Sequence, residues 1–381
     1  MPTTNVYGNG TNSTAGANTI VHFYDRAGVK AANRTNVYGQ FADRKSMPKK
    51  MGKTFKISKF LHMYDRALND AEFSAKGFLS ARDIDQVNTA LNDASLAEGA
   101  GAVNKRSLKK ITMETSLARY GEMIDYTDEV ELFSEDAIQV RYREELGELA
   151  NSRMEDLMQL DMLATPTVMY GGSATAIGEV DADSTVSYDL IRKGVRKLVR
   201  NRAQKNTQMV TGDVKVDTRT VAKSYYAVIG ANVKGDLETL TRGTVADNGT
   251  TEFVYIPAHK YGSAATLAEG EVGAMHEVRF IESESAVVYA GQGADATGYT
   301  GNLSVTNGKF DAFPILFPTQ GAFATVGLKG QGKIKFNSKS PEVVENANPY
   351  GTNGFFSYNF FYAGIILEEE KLLKILVSAS A

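Results

Sequence analysis

Residues 134–163 read SEDAIQVRYREELGELANSRMEDLMQLDML, and this stretch decides how the rest of the chain is laid out. Ser134 is placed to cap a helix, with Glu135 and Asp136 in a first turn where the helix dipole favours acids. Ile138, Tyr142, Leu146, Leu149, Ala150, Met154, Leu157 and Asp161 follow at spacings of three or four, a mostly apolar stripe. Thirty residues at ~1.5 Å each give a rod of roughly 45 Å. That is long for a globular helix and predicts a spine around which a domain is organised. Pro166 ends it, and a short strand, TVMY, and the turn Gly171–Gly172 come next.

Upstream, KTFKISKFLHMYDR at 53–66 opens with alternation, Phe55, Ile57 and Lys59 against Thr54, Lys56 and Ser58. This is a strand with one wetter face. Alternation returns over 110–127. Between the two lies a polar insertion, with Ser80 as candidate N-cap of a helix in ARDIDQVNTALNDA and a loop tip at Glu98–Val103. The pair predicts an extended two-stranded arm. Residues 1–50 have no sustained period and too little apolar surface to fold alone. Their scattered aromatics fit either a loose tail or an arm that orders on a neighbouring subunit.

Downstream, YDLIRKGVRKLVRNRA at 188–203 predicts a second amphipathic helix. Leu190, Ile191, Val195, Leu198 and Val199 form its apolar stripe. Arg192, Lys193, Arg196, Lys197, Arg200 and Arg202 form a basic face. Residues 206–335 alternate short β-rich runs with Gly/Asn/Thr turns, as an α+β lobe inserted into another domain would. FFSYNFFYAGIILEEEKLLKILVSA, near the end, predicts strands on either side of a turn at Glu368–Lys371.

The length, 381 residues, implies two or three domains at about 100–200 residues each. There is no Cys, which excludes disulfides, thiol catalysis, iron–sulfur clusters and Cys-based zinc sites. Neither an apolar run of about 18–20 residues nor a secretory leader stands out. The expectation is a soluble protein made in a reducing cytoplasm, with no membrane partner.

Motifs for catalysis or cofactors are weak. Gly291, Gly293 and Ala296 in YAGQGADA fit a dinucleotide-binding spacing, but TGYTGNLSVTNG after them has no helical period to hold a pyrophosphate. These glycines predict a mobile loop. His22, His62, His259 and His276 are scattered, and no pair has the i, i+4 spacing of a metal helix. No G-x-S-x-G elbow occurs. Nothing here calls for a cofactor or a resident metal.

Charge is more informative. Residues 122–161 hold thirteen acids against Arg141, Arg143 and Arg153, while 187–205 hold seven bases against Asp189. Residues 1–66 hold eleven bases against three acids. A formal net charge of -3 conceals these blocks. Three arrangements satisfy them: pairing within the chain, pairing between copies, or contact of the 188–205 face with nucleic-acid phosphate without base reading. Asp125, Asp128, Glu129, Glu144, Glu145 and Glu148 are the candidate acidic contacts.

Four segments then carry a resemblance: YGQFADRKSMPKKMGKTFKIS at 38–58, LARYGEMIDYTDEVEL at 117–132, GEVGAMHEVRFIES at 270–283 and NPYGTNGFFSYNFFYAGIILEEEKLLKI at 348–375. With the order of elements, the chain resembles the capsid proteins of tailed bacteriophages and herpesviruses (the Johnson fold), in the branch typified by coliphage N-four. Pro48, Lys49, Gly52, Lys53, Tyr120, Gly121, Thr127, Asp128, Gly270, Gly273, Arg279, Phe280, Glu282, Pro349 and Gly351 match the family's phrases. Asn348 and Thr352 depart from its closing Asp-Pro-x-Gly-Gln phrase, and Tyr358 stands where a Trp is common.

The resemblance implies an α+β capsid fold: an arm at 1–50, an extended loop at 51–133 with a helical insertion at 68–109, a peripheral domain at 134–215 plus 336–381, and an axial domain at 216–335. It implies no catalytic residue. It implies a shell of hexamers and pentamers around double-stranded DNA, assembled in a host cytoplasm, with portal, scaffold and decoration proteins as further partners. The competing readings are a bacterial nanocompartment shell of the same fold, and an enzyme or carbohydrate-binding protein with its site in 216–335.

Overall fold

The computed structural model describes residues 36–60, 83–99, 101, 110–133, 138–210, 218–244, 251–261, 267–329, 334–344 and 348–381. In chain order the strands are β1 Asp43–Met47, β2 Thr54–Phe60, β3 Lys110–Ser116, β4 Ala118–Thr127, β5 Val168–Tyr170, β6 Asn206–Val210, β7 Thr218–Ile229, β8 Thr241–Thr244, β9 Thr251–Phe253 and β10 Ile256–Pro257. They continue with β11 Glu271–Met275, β12 Val278–Glu282, β13 Val305–Thr306, β14 Lys309–Phe310, β15 Phe313–Pro318, β16 Phe323–Leu328, β17 Lys335–Lys339, β18 Asn353–Ile366 and β19 Leu372–Val377. The helices are α1 Ile84–Asp93, α2 Asp128–Phe133, α3 Ile138–Leu163, α4 Tyr188–Arg200 and α5 Ala231–Glu238.

Period-2 alternation lets β18 serve two cores at once. Its even-numbered Phe356, Tyr358, Phe360 and Tyr362 face α3, with Leu146, Ala150, Met158 and Met162 of that helix in the same buried cluster. Its odd-numbered Ala363 and Ile365 join Met47, Leu117, Ala324 and Val326 on the opposite face, where Phe55 and Met113 of the hairpin pack. β18 pairs antiparallel with β4 along one edge, Ala118↔Tyr362 to Thr127↔Asn353. Along the other edge it pairs with β16 and then β17. β1 adds to β16 in parallel.

The second sheet runs β10-β11-β12-β7-β15-β19-β5, with β6 also on β7. It too is buried on both faces. Tyr226, Val228, Leu316 and Leu372 point to the α3 side, while Tyr225, Ala227, Ile315, Leu373 and Ile375 point to α4 and α5. In α4, Gly194 sits where a Cβ would lie 3.0 Å from Ile375 Cδ1, so glycine lets the helix approach β19 closely.

Residues 188–200 and 372–377 belong with the larger sheet, and 323–328 with the smaller one. The chain changes sheets three times, between β4 and β5, after β15 and after β18. Expectations from the sequence fare unevenly. The spine helix is present from Ile138; Ser134–Asp136 and Ser80 lie outside the described residues. Asp83 occupies the N-cap of α1. Ser187 caps α4 by accepting from Leu190 N at 3.2 Å. Val199 is 54% exposed, off the expected apolar stripe, because it falls just beyond the Val195 edge of the buried arc of α4. The glycine loop at 291–296 is pinned rather than mobile. Gly293 N donates to Phe310 O, Ala294 N to Val180 O, and Asp311 accepts from Gly291 N, Ser304 Oγ and Thr306 Oγ1. No helix starts there, so no dinucleotide cradle forms.

α3 also clasps the beginning of the described chain. Residues Tyr38–Phe41 form a buried 3₁₀ turn. Glu155 of α3, 3% exposed, accepts from the main-chain amides of Val37 and Tyr38 with one oxygen. Its other oxygen, Oε2, meets no donor among the described residues. One turn on, Gln159 donates to Ser285 O and accepts from Val287 N and the Tyr38 hydroxyl. Burial pushes the Glu155 carboxyl above the usual carboxylate range, against the pull of the amides.

A carboxyl raised on folding keeps its proton longer in the folded state. Its contribution to stability is therefore largest in acid and falls as pH climbs from the ordinary carboxylate value through the raised one. Glu155→Gln is expected to flatten that part of the stability–pH curve of the unassembled subunit. Glu155→Ala, which strips two buried amides of their acceptor, is expected to lower stability by about 2 kcal/mol. Denaturant unfolding across the acid range checks both, and hydrogen exchange at 37–41 locates the effect.

Candidate assembly surfaces

The expected two-stranded arm is present over 54–60 and 110–116, but 118–127 is not part of it, and 61–66 lie outside the described residues. β2 pairs with β3 from Thr54↔Ser116 to Phe60↔Lys110. At Leu117 the chain leaves the hairpin. That residue is buried and donates its amide to Lys53 O at 2.9 Å. Residues 118–127 then join β18 instead. Gly121 is required there, since a Cβ would stand 2.5 Å from Tyr358 O. The hairpin's wetter face carries a Lys56–Glu114 ion pair at 2.8 Å and Ser58 against Thr112 at 3.1 Å. Its drier face is tied down by Lys59, which donates to Leu367 O and pairs with Glu368, both at 2.9 Å.

The candidate acidic residues are spread over the smaller sheet, the short helix after it and the spine. Asp125 lies on β4, Asp128 and Glu129 open α2, and Glu144, Glu145 and Glu148 lie on α3. None of the six makes an ion pair with a described residue. The intrachain pairs that do form use other acids, as in Arg153–Glu122 at 3.0 Å, which ties α3 to β4.

The basic candidates divide. Lys193, Arg196 and Arg200 are exposed on α4 and make no ion pair with a described residue. Arg192 makes an exposed i, i+3 pair with Asp189 at 3.4 Å and lies over the Tyr188 ring, 5.6 Å from its centroid. Lys197 turns inward, donates to Val168 O at 3.3 Å, and burial pulls its ammonium below the usual lysine range. Arg202 lies past the helix with a φ of 57°. Ala203 N there donates back to Leu198 O and Arg202 N to Val199 O, a left-handed helix stop. The exposed basic side chains on α4 are therefore Arg192, Lys193, Arg196 and Arg200, with Arg202 exposed just past its end.

The family-motif positions shape turns and ladder ends. Pro48 to Lys53 form the turn between β1 and β2, with Lys50 at φ 67° and Gly52 at φ 83°. Tyr120 stacks on Phe360 with centroids 5.8 Å apart. Thr127 ends the β4 ladder opposite Asn353, and Asp128 N donates to Thr352 O at 2.9 Å. Pro349 and Gly351, at φ 68°, sit in a turn built by Asn348. The Asn348 side chain accepts from Thr352 N and Asn353 N and donates to Asn353 O and Pro341 O. The departure from Asp at 348 thus supplies the donors that Asp lacks. Sequence reasoning did not assign Asn348 or Glu155 these roles. The N-P-x-G order signalled the first; nothing signalled the second.

Solved structures place this fold among phage capsids. The capsid of Ralstonia phage GP4 superposes with a TM-score of 0.59 at 12% identity, covering 98% of this chain and 99% of that one. The capsid of cyanophage P-SCSP1u gives 0.56 at 10% identity, covering 95% and 94%. That of cyanophage Pam1 gives 0.55 at 13% identity, covering 96% and 98%. The architecture is thus the tailed-phage capsid fold. A major capsid protein of Pseudomonas phage KPP21 is 30% identical over 377 residues, 95% of this chain and 93% of that protein. The chain belongs to the phage major capsid proteins. No protein-family profile matches it. The nanocompartment and enzyme readings are not favoured by this membership.

Removing the Asn348 side chain is expected to loosen the turn it builds. Asn348→Ala should cost about 2 kcal/mol and open 341–352 to limited proteolysis, while the hairpin at 54–60 keeps its protection. Mass mapping of early cleavage sites checks this.

Proposed function

We propose that copies of this chain self-associate as hexamers and pentamers into an icosahedral virion shell around double-stranded DNA, assembled in the host cytoplasm. The observation that carries this reading beyond family membership is that the six acidic candidates and Lys193, Arg196 and Arg200 make no ion pair with a described residue. The six acidic candidates meet basic side chains of neighbouring copies. The exposed face of Arg192, Lys193, Arg196 and Arg200 meets packaged DNA through phosphate, without reading bases. Portal, scaffold and decoration proteins complete the list of partners, and the role is structural rather than catalytic.

Negative-stain microscopy of the expressed chain is expected to show rings, sheets or shells. A chain that stays monomeric under all assembly conditions overturns the reading. The DNA contact has its own test. Reversal of Arg192, Arg196 and Arg200 to Glu should lower nuclease-protected DNA per particle. Filled particles at normal yield would sink that contact and leave self-assembly standing.

A further inference from the structure

The two ends of the β4–β18 ladder carry opposite chemistry. At the Thr127↔Asn353 end, α2 and the 348–352 turn expose a large apolar tip. Leu132 is 73% exposed, Phe133 85% and Tyr350 88%. The two elements are joined by the Asp128 N to Thr352 O bond, and Asn348 fixes the turn that presents Tyr350. Glu129 and Glu342 border this tip, exposed and without an ion pair to a described residue.

At the Ala118↔Tyr362 end, the turn Pro48–Lys53 contains Lys49, Lys50 and Lys53 and no acid. All three lysines are exposed and make no ion pair with a described residue. Met51 at the centre of the turn is 71% exposed, a flexible apolar side chain suited to fill an irregular surface. Lys329, whose amide donates to Met47 O at 2.8 Å, adds a further lysine beside it.

Ten ladder pairs separate the ends by about 30 Å at ~3.4 Å per step. Both strands are locked into a sheet under α3, so one copy cannot fold its own ends together. We propose that the acid-bordered apolar end of one copy docks on the lysine-rich, Met51-bearing end of the next, head to tail. This rests on the self-assembly reading and names its joint. Acid on acid and lysine on lysine both repel, so like ends do not pair across a two-fold axis. Unlike ends attract, and a head-to-tail joint propagates until it closes a ring.

The absence of cysteine makes a clean test possible. Met51→Cys and Tyr350→Cys proteins are prepared separately, assembled alone or mixed, and treated with a short bismaleimide. Covalent dimers are expected from the mixture and from neither protein alone, and the double variant should give a ladder of oligomers. Dimers from one variant alone, or none from mixed particles, overturn the joint. In parallel, Lys49→Glu/Lys50→Glu/Lys53→Glu should cut particle yield about tenfold, and adding Glu129→Lys/Glu342→Lys should restore most of it. Yield unchanged by the first set, or unrestored by the second while circular dichroism shows native secondary structure, also overturns it. A wild-type chain that never assembles overturns the shell reading itself. A wild-type chain that assembles while these variants behave normally overturns only the joint.

Discussion

Burial of β18 on both faces is the constraint on which the rest of the structure depends. Phe356, Tyr358, Phe360 and Tyr362 lie under α3, each nearly inaccessible. At roughly 2 kcal/mol per buried large side chain, that row alone is comparable to the net stability of a domain. The opposite face holds the hairpin through Phe55 and Met113. One edge holds β4, and the other holds β16 and β17. A one-residue slip in β18 would turn the aromatic row away from α3. Register there is thus strongly specified, and so are the places where the hairpin, α2 and the 348–352 turn emerge.

Much of this was legible in the sequence because it is periodic. The spine stripe, the alternation in 54–60 and 110–116, and the alternation from 353 onward all report a single buried face or pair of faces. What was not legible is which strand pairs with which. Residues 110–127 alternate without a break, so they look like one strand. Only the contact between Leu117 and Lys53, remote in sequence, divides them into hairpin and ladder. Which sheet a strand joins was hidden for the same reason. Leu372–Val377 is apolar but for Lys374, as suits a strand buried on both sides, and such a run carries no sign of which sheet takes it.

The candidate surfaces were legible at a coarser grain. Charge counts located the basic helix and the acidic spine, but not which side chains face solvent. Lys197 left the basic face for a reason of geometry. It is drawn to the Val168 carbonyl, whereas Arg202, in a left-handed reversal, stays exposed. Glu155 was counted with the acidic block although it is buried and serves main-chain amides. That use has no sequence signature, since a Glu on a helix reads the same whether it meets water or a remote turn.

Stiffness gives these surfaces their meaning. Exposed charges on a flexible chain would satisfy one another locally, at small gain. Here the ladder holds its lysine-rich and apolar ends about 30 Å apart, and the sheet under α3 keeps them from closing on each other. Their attraction is therefore available only to another copy. Because the ends differ, one copy's head is used up by its neighbour's tail, and growth stops only when the chain of contacts returns to its start. Each joint can be modest, since a closed ring breaks only when two joints open together. A rigid body with unlike ends thus turns weak contacts into a closed assembly, and the same weakness lets a misplaced copy leave before the ring is complete.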